Sequence, residues 1–150
     1  MHRYLIVFML AVLGSGPALA SEGMVNVMSA HSVAATADRL EKALLAKGMK
    51  VFQRIDHAAG ARAAGKSLRP TELVIFGNPK VGTPLMLCSQ SIAIDLPQKA
   101  LIWQDAAGSV WLAYNDPAFL KLRHATEGCD EVLGKVSNAL ANFAKAASAE

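Results

Sequence analysis

The sequence predicts an α+β fold, with a mainly antiparallel sheet covered on one face by its first and last long helices. Three observations carry this expectation. Strand-like runs of alternating apolar residues follow one another in hairpin-connected groups, with helices between and after them. Two longer segments, near residues 33–44 and 129–143, repeat apolar residues with helical spacing. The chain has 150 residues, which suits one domain. The approximate order is β-α-β-β-α-β-β-α-α, without internal repeats.

Met24 to Met28 alternates loosely and ends at Ser29, which suits a first strand. Ser32 can cap a helix whose apolar positions Val33, Ala37, Leu40 and Leu44 fall on one face, and Gly48 after Lys47 is a stop signal. Met49 to His57 reads as a strand with Met49, Val51, Gln53 and Ile55 on one side. Ala58 to Lys66 is compatible with a short helix or a loop. Thr71 to Phe76 is the strongest strand, broken by Gly77-Asn78-Pro79. Asn78 and Pro79 then make an N-cap and first-turn pair for a short helix running through about Ser89, with Val81, Leu85 and Cys88 on one face. Ala100–Gln104 and Val110–Tyr114 form a hairpin with Gly108 in its turn. Asp116-Pro117 opens another short helix to about His124. The last helix, from near Gly128 to Ala146, carries the stripe Cys129, Val132, Val136, Leu140 and Phe143. The expected core includes Leu40, Leu44, Val74, Phe76, Val136 and Leu140.

Residues 1–20 read as a secretory signal peptide. His2 and Arg3 form a basic start, Tyr4 to Leu13 is an apolar run, and Ala18-Leu19-Ala20 is a small-x-small cleavage site. The run is shorter than the about 20 residues that a membrane-spanning helix needs, so no stable membrane insertion is expected after cleavage. No cysteine follows the small residues, which disfavours a lipid anchor. Residues 21–150 are then a single domain, periplasmic or secreted. Arg3 is the sole charged residue of the leader, so the remainder carries one positive charge fewer than the +3 of the full chain. That near-neutral balance, with its basic residues scattered among acids, excludes a nucleic-acid groove.

Several residues could carry chemistry. Asn78, Lys80 and Thr83 stand where a strand feeds a helix, and a helix N-terminus can hold an anion. Arg123 and His124 offer a second basic corner. The same residues read structurally as a cap and a solvated surface. Asp95 and Asp116 sit at proline corners, where capping and turn-bracing are the simpler roles. His31, His57 and His124 lack metal-ligand spacing, so neither a metal nor a cofactor is expected. Cys88 and Cys129 lack a Cys-x-x-Cys arrangement. Export allows them to pair, but their positions at the end of a short helix and the start of a long one favour two buried thiols. Trp103, Trp111 and Tyr114 suit core or dimer contacts, so a homodimer stays open.

The stretch Phe76-Gly77-Asn78-Pro79-Lys80-Val81-Gly82-Thr83-Pro84-Leu85-Met86 resembles the domain-of-unknown-function 302 family. The resemblance continues at Asp95-Leu96-Pro97, Tyr114-Asn115-Asp116-Pro117 and Arg123-His124, and spans roughly Val25 to Phe143. It implies a curved antiparallel sheet gripping a long helix, and no established activity or cofactor. The leading expectation is a non-enzymatic domain binding a small ligand, anionic ligands included, or a protein partner. The alternatives are a hydrolase- or redox-type enzyme using Cys88 or Asp95 with a histidine, or a structural protein. Exported material should begin at Ser21; N-terminal sequencing that still finds Met1 would contradict the leader.

Overall fold

The computed structural model describes residues 23–150, so the leader and its cleavage site lie outside the described residues. Five strands, β1 (Met24–Ser29), β2 (Lys50–Asp56), β3 (Thr71–Gly77), β4 (Gln98–Gln104) and β5 (Val110–Asn115), form one sheet in the order β1-β5-β4-β3-β2. Every neighbouring pair is antiparallel. Helices α1 (Val33–Ala46) and α5 (Asp130–Ser148) pack on each other and on the sheet. The α+β expectation is thus met, and the order read from the sequence gains one helix between β2 and β3. The segment left open at 58–66 is resolved as α2 (His57–Ala63), capped by the Asp56 carboxylate, which accepts from the Ala59 N–H. The shorter helices are α3 (Pro79–Cys88) and α4 (Pro117–His124), with a 3-10 helix at Gln90–Ile94.

Period-two alternation decides which side chains meet the helices. Directly paired residues share a face, so Val74, Ala100, Tyr114 and Val25 form one rung of the inner face, and Ile102, Leu112 and Val27 form the next. Against them α1 sets Val33, Ala37, Leu40 and Leu44, and α5 sets Val136, Leu140 and Phe143, all buried. The six expected core residues are each at most 4 % exposed. Phe76 meets Phe143 edge-on, with ring centroids 6.4 Å apart.

Two local expectations fail. The β2 alternation breaks at a register shift between Val51 and Gln53. Val51 opposes Phe76 and Arg54 opposes Val74, whereas Gln53 and Ile55 oppose Ile75 and Leu73. The extra residue at the bulge therefore moves Gln53 and Ile55 to the outer face and turns Arg54 inward. Arg54 reaches Glu72 at 2.5 Å, Asp38 at 2.8 Å and Glu41 at 3.0 Å. These carboxylates, Glu72 foremost, raise its guanidinium above the ordinary range.

The second correction concerns the cysteines. Cys88 and Cys129 form a disulfide, with Cα atoms 6.4 Å apart across a sequence separation of 41. Cys88 is not on a buried stripe: it is the exposed last residue of α3, while Cys129 is buried at the cap of α5. Val81, expected to share a buried face with it, is also exposed, and of that trio only Leu85 is buried. The helix stripes were right about burial at Cys129 but say nothing about where two helix ends meet.

The α5 C-terminus is tied down by hydrogen bonds from Ala30, His31 and Arg39. Arg39 donates to the carbonyls of Ala146, Ala147 and Ala149, His31 contacts the Ala149 carbonyl at 2.8 Å, and the Ala30 N–H donates to Ser148. A cation at the carbonyl end of a helix also complements its dipole. Alkylation of the unfolded, unreduced protein should label neither cysteine. Replacing both by Ser should cost about 4 kcal/mol in denaturant melts by the chain-entropy account. Two labels per chain would contradict the pairing.

Candidate functional site

A cavity of about 570 Å³ lies between α3, α5 and the inner face of the sheet. Phe76 and Gln98 form its sheet side, Val136, Leu140 and Phe143 its α5 wall, and Leu85 its α3 wall. It stays open because α3 is held at both ends rather than collapsed onto the sheet. At its start, Asn78 donates through Nδ2 to the Gly48 carbonyl at 3.0 Å. Gly48 takes φ 70°, the left-handed geometry that ends α1 and turns that carbonyl toward α3. At its end, the disulfide fastens α3 to the first turn of α5. Gly77 lies at the rim, where a Cβ would come into ordinary contact with Phe52 and Pro97, 3.4 Å from each. The volume falls within the range of small-ligand pockets.

The polar lining is sparse. Lys47 is the one ionisable side chain among the described lining residues, and it is exposed. Asn78, Thr83, Asn142 and Gln98 supply the neutral polar groups. The Gln98 residue is 92 % buried, and its Nε2 finds no hydrogen-bond partner among the described groups.

The five residues expected to hold an anion separate into distinct places. Asn78 and Thr83 line the cavity, whereas Lys80 is exposed and does not. The first-turn donors of α3 are already engaged. Pro79 has no N–H, Lys80 donates to the Asn78 side chain, and Val81 and Gly82 both donate to the Asn78 carbonyl, each at 2.9 Å. The capping role of Asn78 therefore consumes the groups an anion would need.

Arg123 and His124 are elsewhere, on Asp95. Arg123 donates to Oδ1 of Asp95 at 3.1 Å, and His124 Nε2 lies 2.6 Å from Oδ2. The other ring nitrogen, Nδ1, is 2.9 Å from the Ser91 hydroxyl, which lies 3.0 Å from that of Ser89. The His124 and Asp95 side chains are 5 % and 11 % exposed. This cluster joins the last turn of α4 to the 3-10 helix, and Ala125, at φ 46°, ends α4 just beyond it. Chemically it is a serine–histidine–carboxylate chain, an arrangement that can relay a proton when a substrate is present. The sequence offered Asp95 and His124 as separate motifs and gave no sign of Ser91. Gln98 also escaped notice, because a lone glutamine at a strand start reads as edge polarity. Among the described residues no group of three or more His, Cys, Asp or Glu could hold a metal ion.

Comparison with known proteins adds three likenesses. The fluoride-specific ion channel FluC 1 of Brucella suis biovar 1 (strain 1330) is 50 % identical over 117 residues, covering 76 % of this chain and 46 % of that protein. FluC 2 of Brucella melitensis biotype 1 is also 50 % identical over 117 residues, covering 76 % of this chain and 43 % of that protein. The match thus spans less than half the length of these relatives. No described helix is long and apolar enough to cross a membrane. The crystal structure of an uncharacterized conserved DUF302 protein from Bacillus stearothermophilus has the same fold, with a TM-score of 0.76 at 17 % identity over 85 % of this chain and 99 % of that one. Residues 25–143 match the family described as "Domain of unknown function DUF302", and this chain belongs to that family.

Proposed function

We propose that this domain is an exported, non-enzymatic binding module that takes a small, largely apolar ligand into the cavity between α3, α5 and the sheet. The observation that carries the reading is the cavity itself: about 570 Å³, walled by Phe76, Leu85, Leu140 and Phe143, and braced open at both ends of α3. Concave apolar sites with a few polar groups are the usual form of ligand pockets. The engaged donors at the α3 N-terminus argue against an anion there. The fluoride channels named above are proteins of more than twice the matched length. A small hydrated anion suits these apolar walls poorly, because they cannot replace its water. The proposal therefore concerns this domain's own ligand, not ion conduction.

The neutral fluorophore N-phenyl-naphthylamine should bind saturably at one site. Ala139→Phe, on the exposed cavity side of α5, should abolish that binding without lowering the melting temperature. Failure of the probe to bind, or unchanged binding in the variant, would contradict the reading.

The Ser91–His124–Asp95 chain supports a second reading, ester hydrolysis, in which Ser91 is the nucleophile. We favour a structural clasp, because Arg123 and His124 already satisfy both Asp95 oxygens and join two elements. Asp95→Asn should then lower stability by about 1–3 kcal/mol, with no p-nitrophenyl acetate turnover in either protein. Turnover that disappears in a stably folded Ser91→Ala would establish the enzyme instead.

A further inference from the structure

The geometry points to a ligand that carries a neutral hydrogen-bond acceptor, such as a ketone, ester or amide carbonyl, placed against the Gln98 side-chain amide within the cavity. This rests on the cavity being the binding site and adds the chemistry of what it selects.

Gln98 begins β4 and pairs directly with Phe76, so both project from the inner face of the sheet into the same space. A glutamine at this position is costly without a role. It is 92 % buried among apolar neighbours, its Nε2 has no partner among the described groups, and that atom is itself covered, so a turn of the terminal amide about its last side-chain bond is what brings the donor to a ligand. A buried amide donor without a partner keeps the full cost of its lost hydration, with no hydrogen bond to offset it. The walls offer no relief: Phe76, Leu85, Leu140 and Phe143 present carbon only, and the Asn78 side chain is spent on Gly48 and Lys80. An acceptor brought in by the ligand would satisfy the amide.

The charge of that acceptor is also constrained. Lys47, the one ionisable lining residue, is exposed, while Gln98 is enclosed. A carboxylate beside Gln98 would be desolvated with no countercharge at hand, which costs more than one neutral amide donor returns. A carbonyl keeps most of the hydrogen-bond gain at a fraction of that desolvation. The selected ligand is therefore an apolar body with one uncharged acceptor, and the amide also sets its orientation, since the other free lining donors, Thr83 and Asn142, stand on exposed residues where water already serves them.

The test uses pentylbenzene, butyl phenyl ketone, which replaces one CH₂ of that hydrocarbon by a carbonyl, and phenylhexanoate. Each is titrated calorimetrically into the wild-type protein and Gln98→Leu, with the Gln98 side-chain amide followed by ¹⁵N NMR. The ketone should bind the wild type roughly 2- to 10-fold more tightly than the hydrocarbon, the range set by a net hydrogen bond of about 0.5–1.5 kcal/mol. It should shift the Gln98 amide resonances, and phenylhexanoate should bind more weakly than the ketone. Gln98→Leu should keep hydrocarbon affinity and lose the ketone's advantage. If ketone and hydrocarbon bind the wild type equally, or the preference survives in Gln98→Leu, the acceptor inference falls while the cavity reading stands. If neither binds the wild type, the cavity reading itself falls.

Discussion

The rung formed by Phe76 on β3 and Gln98 on β4 is the constraint on which the rest of this molecule depends. Strand pairing puts the two side chains on the same face, and Phe143 of α5 meets Phe76 edge-on above them. On one side of the rung the apolar faces of α1 and α5 close over Val74, Ala100 and Ile102 into a dry core. On the other side the same face turns outward under α3. There the packing is left incomplete, and the cavity is the result. Core and cavity are consequences of one register, and a slip by one residue would remove both.

Complete collapse of α3 onto the sheet would bury more apolar area and would be favoured by the hydrophobic effect alone. The chain opposes it with local fastenings. Asn78 caps α3 and donates to Gly48, while Cys88 and Cys129 fix the opposite end. The Asp95–His124–Arg123 clasp holds the segment that follows. The polar restraints are individually modest beside the disulfide, but each acts at an element end, where a small displacement becomes a large one along the helix. Elsewhere the same economy appears at the hairpin. There Asp105 accepts from the Trp111 indole, which lowers its carboxyl from the ordinary value together with the turn amides of Ser109, Ala107 and Gly108.

The fold was legible because its signals are local. Ser32, Asn78 and Asp116 cap the helices that follow them, as their positions next to apolar periodicity imply. The α1 stripe of Val33, Ala37, Leu40 and Leu44 is buried residue for residue. The β2 bulge was illegible, since an inserted residue leaves the alternation of the letters intact while reversing its sense. The site was legible only in part. Asn78 and Thr83 do line the cavity, but the capping geometry that spends the α3 donors is a matter of which amide points where. Arg123 and His124 meet Asp95 across 28 and 29 residues, and Cys88 meets Cys129 across 41, separations at which spacing carries no information.

The central claim is that an apolar space persists between α3, α5 and the Phe76–Gln98 rung. Xenon, which enters dry apolar cavities without needing a polar partner, tests it most directly when titrated against methyl-labelled protein by ¹H–¹³C NMR. The account predicts saturable shifts concentrated on Leu85, Leu96, Val136 and Leu140, with the α1 methyls of Leu40 and Leu44 unmoved. Shifts spread evenly over the core, or none at those four residues, would mean that α3 closes on the sheet and that the cavity is not a property of the folded protein.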